Sequence, residues 1–343
     1  MERIERHTIP ASASLREALS ALNALSGGNM TLFAVDESGI LAGSLTDGDI
    51  RRALLAGRDV ESRVADACRR DCMRLSPDSD RYATVAQARD RGIRLLPQID
   101  AGGRISRLLD LSEVKALLPV EAVLMAGGRG ERLRPLTADT PKPLLPVRGK
   151  AIIDHNIDAL MACGIERIFV TVNYLREQLE DHCADPRFKG RIRCVAEPRR
   201  LGTMGSVALC GRFGQETVLV MNSDLLTDID FEKMWLAHRR SGAALTMAAV
   251  SYSVAVPFAI LDCEGRRVKG LVEKPTYNYF ANAGIYMMRR EVAESIPAGE
   301  YLDATDLIDS LIEQGEKVEY FPIEGTWIDI GSPADYAKAN EQS

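Results

Sequence analysis

The order of apolar runs in this 343-residue chain predicts an α/β protein, a three-layer domain around a mostly parallel sheet preceded by a smaller α+β domain. Three observations carry that prediction. The length is about twice that of a typical single domain. After Leu118-Pro119, continuous apolar runs of strand length alternate with helical segments, as expected of strands buried on both faces. Before that point the units are shorter and recur, which predicts an internal repeat of roughly 60 residues. The expected boundaries are 1–118 and 119–343.

In the first part, residues 14–25 (SLREALSALNAL) have helical spacing. Residues 31–46 give two β-rich runs joined by an Asp-Glu-Ser-Gly turn, and helical 47–57 is stopped by Gly57. The pattern recurs as helical 82–92, apolar 93–99, a turn at Asp100-Ala101-Gly102-Gly103, then 104–109 and 110–118. In the second part, VEAVLMA (120–126) ends in glycines and reads as a buried strand. Helical 152–164, apolar 165–172, helical 174–183, strand-like 191–197 and the apolar run TVLVMNSD (217–224) follow. Ligands of such sheets gather at the carboxyl ends of the strands.

Composition narrows the function. The chain is 46% hydrophobic, 27% charged and 6% aromatic, with mean hydropathy −0.10, which excludes disorder and collagen-like repeats. Its 43 basic and 49 acidic side chains leave a net charge of −6, and since residues 1–118 carry 17 of each sign, the acidic excess lies in 119–343. A nucleic-acid binder would show a basic surplus, so no nucleic-acid partner is expected. No apolar run is long enough to span a bilayer, and MERIERHTIP lacks the apolar core of an export signal. No membrane association is therefore expected. Seven scattered cysteines form no disulfide framework, so a cytoplasmic location is expected. Cys68 and Cys72 stand one helical turn apart, but no CxxC pair accompanies them, and they read as thiols rather than metal ligands.

GILAGSLTDGDIRRALLAG (39–57) resembles the end of a cystathionine-β-synthase (CBS) module, and residues 1–118 resemble a tandem CBS pair. The resemblance implies a regulatory or dimerising domain with an adenine or guanine nucleotide effector, Thr46 and Asp49 holding its ribose. The same two residues also read as a helix cap, Thr46 at N-cap and Asp49 at N3. In the second copy Asp110 and Glu113 take their places, which should repel phosphates and crowd a ribose.

The chemistry is densest in AGGRGERLRPLTADTPKPLLPV (126–147). A strand runs into Gly127, Gly128 and Gly130, where missing side chains let backbone N–H groups approach phosphate oxygens. Arg132 and Lys142 add positive charge for a polyphosphate. The spacing is neither a Walker loop nor a dinucleotide fingerprint.

That run resembles the signature of the sugar-1-phosphate nucleotidyltransferases. LGTMGS (201–206), NSD (222–224), VEKP (272–275), NAGIY (282–286) and WIDIGSPADY (327–336) follow in the family's order. The resemblance implies a Rossmann-like (GT-A-like) catalytic domain that converts an NTP and a sugar 1-phosphate into an NDP-sugar and pyrophosphate. It implies Mg²⁺ on Asp224 and Asp329, Arg132 on the leaving pyrophosphate, Lys142 on the α-phosphate and Lys274 on the sugar phosphate. Met125, Ala126, Gly127, Gly128, Gly130, Gly202 and Thr203 would line the nucleotide, and Glu273, Asn282 and Gly284 the sugar. Hard oxygen ligands suit Mg²⁺, which keeps several waters and binds phosphate as well. Glu131 departs from the Ser or Thr of many relatives and receives no phosphate role; it would pair with Arg132 or Arg134, or face solvent. Trp327 precedes an apolar strand and is expected to pack.

Guanine offers two adjacent donors that one carboxylate can accept, whereas uracil and thymine are better met by an amide. Glu197 stands where thymidylyl and many uridylyl relatives have Gln, which favours GTP, unless it faces water or pairs with Arg199 or Arg200. The run as a whole looks most like mannose-1-phosphate guanylyltransferases, and the CBS fusion resembles guanylyltransferases of bacterial surface-sugar pathways, GDP-glucosamine synthesis for legionaminic acid among them. A homodimer or homotetramer is expected from the CBS pair. The alternatives are a uridylyl- or thymidylyltransferase and, in another class, a CBS-regulated nucleotide sensor or a glycosyltransferase-like protein without pyrophosphorylase activity. A glycosyltransferase would not need Arg132 and Lys142 in such a loop, and a sensor would be expected to lose Asp224, Asp329 or Lys274.

Overall fold

The computed structural model describes residues 2–188 and 190–341, and the chain divides into two compact units, Met1–Leu118 and Pro119–Ser343. The first unit contains β1 (Thr8–Pro10), α1 (Leu15–Ala24), β2 (Thr31–Val35), β3 (Leu41–Thr46), α2 (Asp47–Leu55), α3 (Arg81–Asp90), β4 (Leu95–Ile99) and β5 (Ile105–Asp110). A capping box starts α1: the Glu17 N–H donates to Ser14 Oγ, and the Ser14 N–H donates to the Glu17 carboxylate. The helical period then buries Leu15, Ala18 and Leu22 against Leu32, Leu45 and Ile50.

The hairpins β2–β3 and β4–β5 are one device used twice. Their equivalent positions lie 64 residues apart, Thr31 corresponding to Leu95 and Thr46 to Asp110. Each is bulged at the same place, between Ala34 and Val35 and between Gln98 and Ile99. Each turn opens with an aspartate accepting backbone N–H groups, Asp36 and Asp100, and closes near a left-handed glycine, Gly39 (φ 79°) and Gly103 (φ 78°). The copies part afterwards. Thr46 leads into α2, whereas after Asp110 the chain makes a single turn, with Ser112 bonded to the Asp110 carboxylate, and no helix forms before Pro119. Proline disfavours helical backbone in the residue before it.

The second unit begins with β6 (Val120–Met125), α4 (Ile152–Ala162), β7 (Ile168–Val172), α5 (Arg176–Cys183), β8 (Ile192–Ala196) and β9 (Thr217–Asn222). It continues with β10 (Leu225–Thr227), α6 (Phe231–Ser241), β11 (Leu245–Ala255), β12 (Ile260–Glu264), β13 (Arg267–Val272) and β14 (Thr276–Arg289). It closes with α7 (Ala304–Glu313), β15 (Val318–Pro322), β16 (Trp327–Asp329) and α8 (Pro333–Glu341). Seven strands form one sheet in the order β8-β7-β6-β9-β14-β11-β15, parallel except at β14.

Both sheet faces are covered. In β6, Val123 packs with Phe169, Val218, Val220, Leu307 and Leu311, while Ala122 and Leu124, on the opposite side of the pleat, are buried as deeply. Each fully buried aliphatic side chain of this kind contributes about 1.5–3 kcal/mol. The apolar run 217–224 is a strand only to Asn222. There the N–H and hydroxyl of Ser223 both donate to Met125 O and turn the chain into β10, which pairs with β16. After β6 the chain moves outward through β7 to β8, then returns to place β9 on the other side of β6. That reversal opens a crevice at the carboxyl ends of β6 and β9. Among the described residues no helix is long and apolar enough to cross a membrane.

Candidate active site

A cleft of about 840 Å³ occupies that crevice. Met125, Ala126, Gly127, Gly128 and Gly130 line it after β6, Asn173 after β7, Glu197 after β8, and Asn222 to Asp224 after β9. Gly130 is left-handed (φ 61°), and a Cβ there would stand 2.9 Å from Thr137 Cγ2, so the loop requires glycine. Buried Thr137 holds the turn by donating its hydroxyl to Gly130 O at 2.8 Å.

Lys142 and Asp224 line one side of the cleft, and Asp329 stands beside them. Strands β10 and β16 pair antiparallel with Leu225 opposite Asp329, and the Ile330 N–H donates to Asp224 O. Leu226, Ile328 and Ile330 point into a small apolar core with Leu133, Leu145 and Val147. Alternation along the strand therefore turns Asp329 the other way, beside Asp224. Buried Lys142 binds Asp224 directly, and its Nζ lies 4.0 Å from Asp329 Oδ1. Burial raises the Asp329 carboxyl above its usual range, and the neighbouring Asp224 charge raises it further, against Lys142 and Arg132. Two adjacent carboxylates in partial burial suit a hard divalent cation that completes its shell with water and phosphate oxygens. Among the described residues no group of three or more His, Cys, Asp and Glu side chains gathers to hold a metal. Cys68 and Cys72 are half-buried free thiols.

Arg132 also lines the cleft, and its guanidinium lies close to Gly331, where a Cβ would come within 3.1 Å of Nη2. Glu131 is exposed and lies 3.9 Å from Arg129, rather than against Arg132 or Arg134.

Glu197 lines the same cleft beside Gly127. It is buried, and that burial raises its pKa against the Leu201 N–H and Arg200, so it does not simply face water. Its seat depends on Gly127: a Cβ there would lie 2.5 Å from Glu197 Oε1. Gly202 and Thr203 complete this side and are clamped to the entry of α7. A Cβ on Gly202 would strike Leu302 O at 2.5 Å, and the Met204 N–H donates to the same oxygen at 2.9 Å. The Thr203 N–H donates to Asp303 Oδ1 at 3.0 Å, and Thr203 Oγ1 accepts from the Ala304 N–H at 2.7 Å. Burial would raise the Asp303 carboxyl, but the Tyr301 hydroxyl and the Thr203 donors outweigh it and hold the group below its usual range.

Asp303 is one of two site-building residues that the sequence reading missed; it has no signal in the local sequence, its partner Thr203 lying 100 positions away. The other is Asn156, buried on α4, whose side-chain amide donates to Ser223 O at 3.2 Å and Leu225 O at 3.0 Å. It thereby holds the backbone on both sides of Asp224. An asparagine on the buried face of the apolar helix IIDHNIDALMA was the visible sign.

Five expected site residues are not in the cleft lining: Asp329, which stands beside it within reach of Lys142, and Glu273, Lys274, Asn282 and Gly284. Glu273 and Lys274 are exposed between β13 and β14, Lys274 with a left-handed backbone (φ 42°). The Asn282 amide donates to the Tyr286 hydroxyl at 2.8 Å, and its carbonyl accepts from the Gly284 N–H at 2.9 Å. Gly284 lies behind the cleft, its missing Cβ leaving room for Asn222. Trp327 packs as expected, donating Nε1–H to Ala283 O at 2.9 Å.

In the first unit, Thr46 and Asp49 form the cap. The Thr46 N–H and hydroxyl donate to Asp49 Oδ2 at 2.9 and 2.6 Å, and Arg52 binds the other carboxylate oxygen. Both residues also line a cleft of about 650 Å³, with Arg52, Arg69, Arg91 and Arg94. The Asp110 carboxylate accepts from Ser112 and from Asn29.

Comparison with known proteins accords with this geometry. A putative mannose-1-phosphate guanyltransferase of Sulfolobus acidocaldarius is 30% identical over 225 residues, covering 64% of this chain and 62% of that protein. A mannose-1-phosphate guanylyltransferase of Mycobacterium tuberculosis is 31% identical over 230 residues, covering 64% of each. The chain thus spans less than two thirds of the length of these relatives. Crystal structures of HddC from Yersinia pseudotuberculosis, one complexed with GMP-PN, superpose with a TM-score of 0.51 at 25% identity, covering 64% of this chain and 98% of theirs. Residues 121–343, which carry the whole of the cleft, match the nucleotidyl transferase family, and to that family the chain belongs.

Proposed function

We propose that the second unit is a sugar-1-phosphate guanylyltransferase, joining GTP and a sugar 1-phosphate into a GDP-sugar with release of pyrophosphate. The observation that carries this reading is the meeting of Asp329 with Lys142 and Asp224, two residues that line one cleft together with the glycine loop. An anionic sugar-phosphate oxygen attacks the α-phosphorus, a new P–O bond forms, the bond to the β-phosphate bridge breaks, and no proton need be removed from the nucleophile. Positioning and charge neutralisation therefore do most of the work. Asp224 and Asp329 would hold Mg²⁺, which when bound neutralises phosphate charge. The backbone from Met125 to Gly130 cradles the triphosphate, Lys142 faces the α-phosphate, and Arg132 takes the departing pyrophosphate. Glu197 reads the guanine edge beside Gly202 and Thr203, and the names of the relatives and the GMP-PN complex of HddC favour guanine too. The assignment of Lys274 to the sugar phosphate, and of Glu273, Asn282 and Gly284 to the sugar, rests on the motif resemblance.

For the first unit we propose a tandem CBS pair that takes an adenine or guanine nucleotide effector and associates the chain into a homodimer or homotetramer. The repeated hairpin supports the pairing, and the four arginines of its cleft suit a phosphorylated ligand.

The test is pyrophosphate release with Mg²⁺, crossing GTP, UTP, dTTP, CTP and ATP with a panel of sugar 1-phosphates. GTP dependence is expected, with at least a 100-fold loss of kcat in Asp329→Asn and relaxed base preference in Glu197→Gln. Preference for UTP or dTTP in the wild type would remove the guanine assignment. Full activity in Asp329→Asn would remove the metal assignment.

A further inference from the structure

Strands β11 and β14 run on past the sheet as a two-stranded arm. The pairing of β11 with β15 ends at Ala249, while its pairing with β14 continues to Ala255 opposite Thr276. The two faces of this arm differ. Tyr252 stands opposite Tyr279 and Val254 opposite Tyr277, and Val250 and Ala281 extend the same row. The other face carries Ser251, Ser253, Asn278 and Thr276, and its aromatic ring, Phe280, stacks 4.7 Å from that of Tyr320, both rings staying more than half exposed. The aromatic face lies open: Tyr252 is 60% exposed, Tyr279 56% and Tyr277 40%.

The adjoining hairpin β12–β13 repeats the arrangement. Leu261 stands opposite Leu271 and Cys263 opposite Val268, all exposed. Single exposed apolar side chains need no explanation, but two consecutive ribbons each with an open apolar face do.

The geometry points to a second copy of this chain as the occupant, two arms meeting apolar face to apolar face across a twofold axis. Area is the first argument. Covering both faces would remove about 800 Å² per copy from water, roughly what one partner contributes to a stable specific interface. Charge is the second. The hairpin residues 260–272 carry Asp262 and Glu264 against Arg266, Arg267 and Lys269, with Lys269 bound to Glu264 at 2.7 Å. A self-facing contact brings the same surface to both sides, and mixed signs let it form without net repulsion. An anionic membrane would call for one-signed basic charge instead. The surface is distinct from any association through the first unit.

The test is the solution mass of the full chain by sedimentation equilibrium, which reads no activity and so stands apart from the proposed reaction. The double variant Tyr252→Lys/Tyr279→Lys should halve the mass of the wild-type oligomer while far-UV circular dichroism stays unchanged. Tyr252→Phe/Tyr279→Phe should keep the wild-type mass. A bifunctional maleimide should join two wild-type chains through Cys263 and fail to do so in the lysine variant. A monomeric wild type, or equal masses in the wild type and a folded lysine variant, would overturn the proposal.

Discussion

His238 is buried on α6 and shares a 2.9 Å hydrogen bond with Thr246 of β11. Burial, with Arg289 nearby, pushes its pKa down to about 4, against Glu319. In the unfolded chain the same imidazole titrates near 6.5. Between those values the unfolded state binds more protons, so stability rises with pH through this window. The contribution is complete above about pH 6.5 and is lost as pH falls towards 4, reaching about 3 kcal/mol. Urea midpoints measured from pH 7 to pH 4 should fall in the wild type and fall less steeply in His238→Gln. Glu197 shows the limit of reading at this scale. Its identity suggested a base reader, but its burial and its dependence on the empty Cβ position of Gly127 are facts of the fold.

Among elements, the joint between the LGTMG loop and α7 carries the most consequence. Asp303 serves at once as the N-cap of α7 and as acceptor for the Thr203 N–H, so one carboxylate fixes a helix end and a wall of the cleft. Removing it in Asp303→Ala should cost about 1–3 kcal/mol of stability. KM for GTP should rise with little change in kcat, because in the proposed function the loop meets the guanine rather than the reacting atoms. Thermal melts and steady-state kinetics check the two effects separately. The elements legible in the sequence were those with a clean period or a strong cap, such as α1, β6 and β7. The glycine loop and both aspartates were legible because their chemistry is concentrated in short runs. Asp303 and Asn156 were not, because each acts across a long sequence separation. The arm between Ala249 and Asn282 gave no signal either, because exposed aromatics among serines follow neither a core pattern nor a turn pattern. VEKP was legible as a motif, yet Glu273 and Lys274 lie outside the cleft lining.

At the scale of the whole molecule, two compact units share one chain, one with an arginine-lined cleft and the other with the cleft behind the glycine loop. If the first regulates the second, the coupling is reciprocal in binding free energy. Calorimetric titration of adenine nucleotides with and without GTP should reveal a shift in affinity. GTP titrated with and without the adenine nucleotide should shift by the same factor. Adenine nucleotide binding that ignores GTP would leave the first unit an assembly device alone. The sequence showed the division at residue 118 through a change of apolar grammar and showed the repeat through its turn residues. It did not show that the second copy lacks the closing helix, because 110–118 has a helical composition and the interruption comes from the Asp110 turn and Pro119.

The three-residue pairing of β10 with β16 has an arithmetic consequence. A strand has only two sides, so the direction of Asp329 is a matter of odd or even position. Inserting or deleting one residue within Trp327–Asp329 would send Ile328 or Ile330 towards solvent and drive a carboxylate into the apolar core around Leu226. No intermediate setting exists between those two outcomes. The placement of Asp329 beside Asp224 is thus all-or-none with respect to length, while the turn at Gly265, at the tip of the β12–β13 hairpin, can lengthen or shorten without disturbing any count on which Asp329 depends.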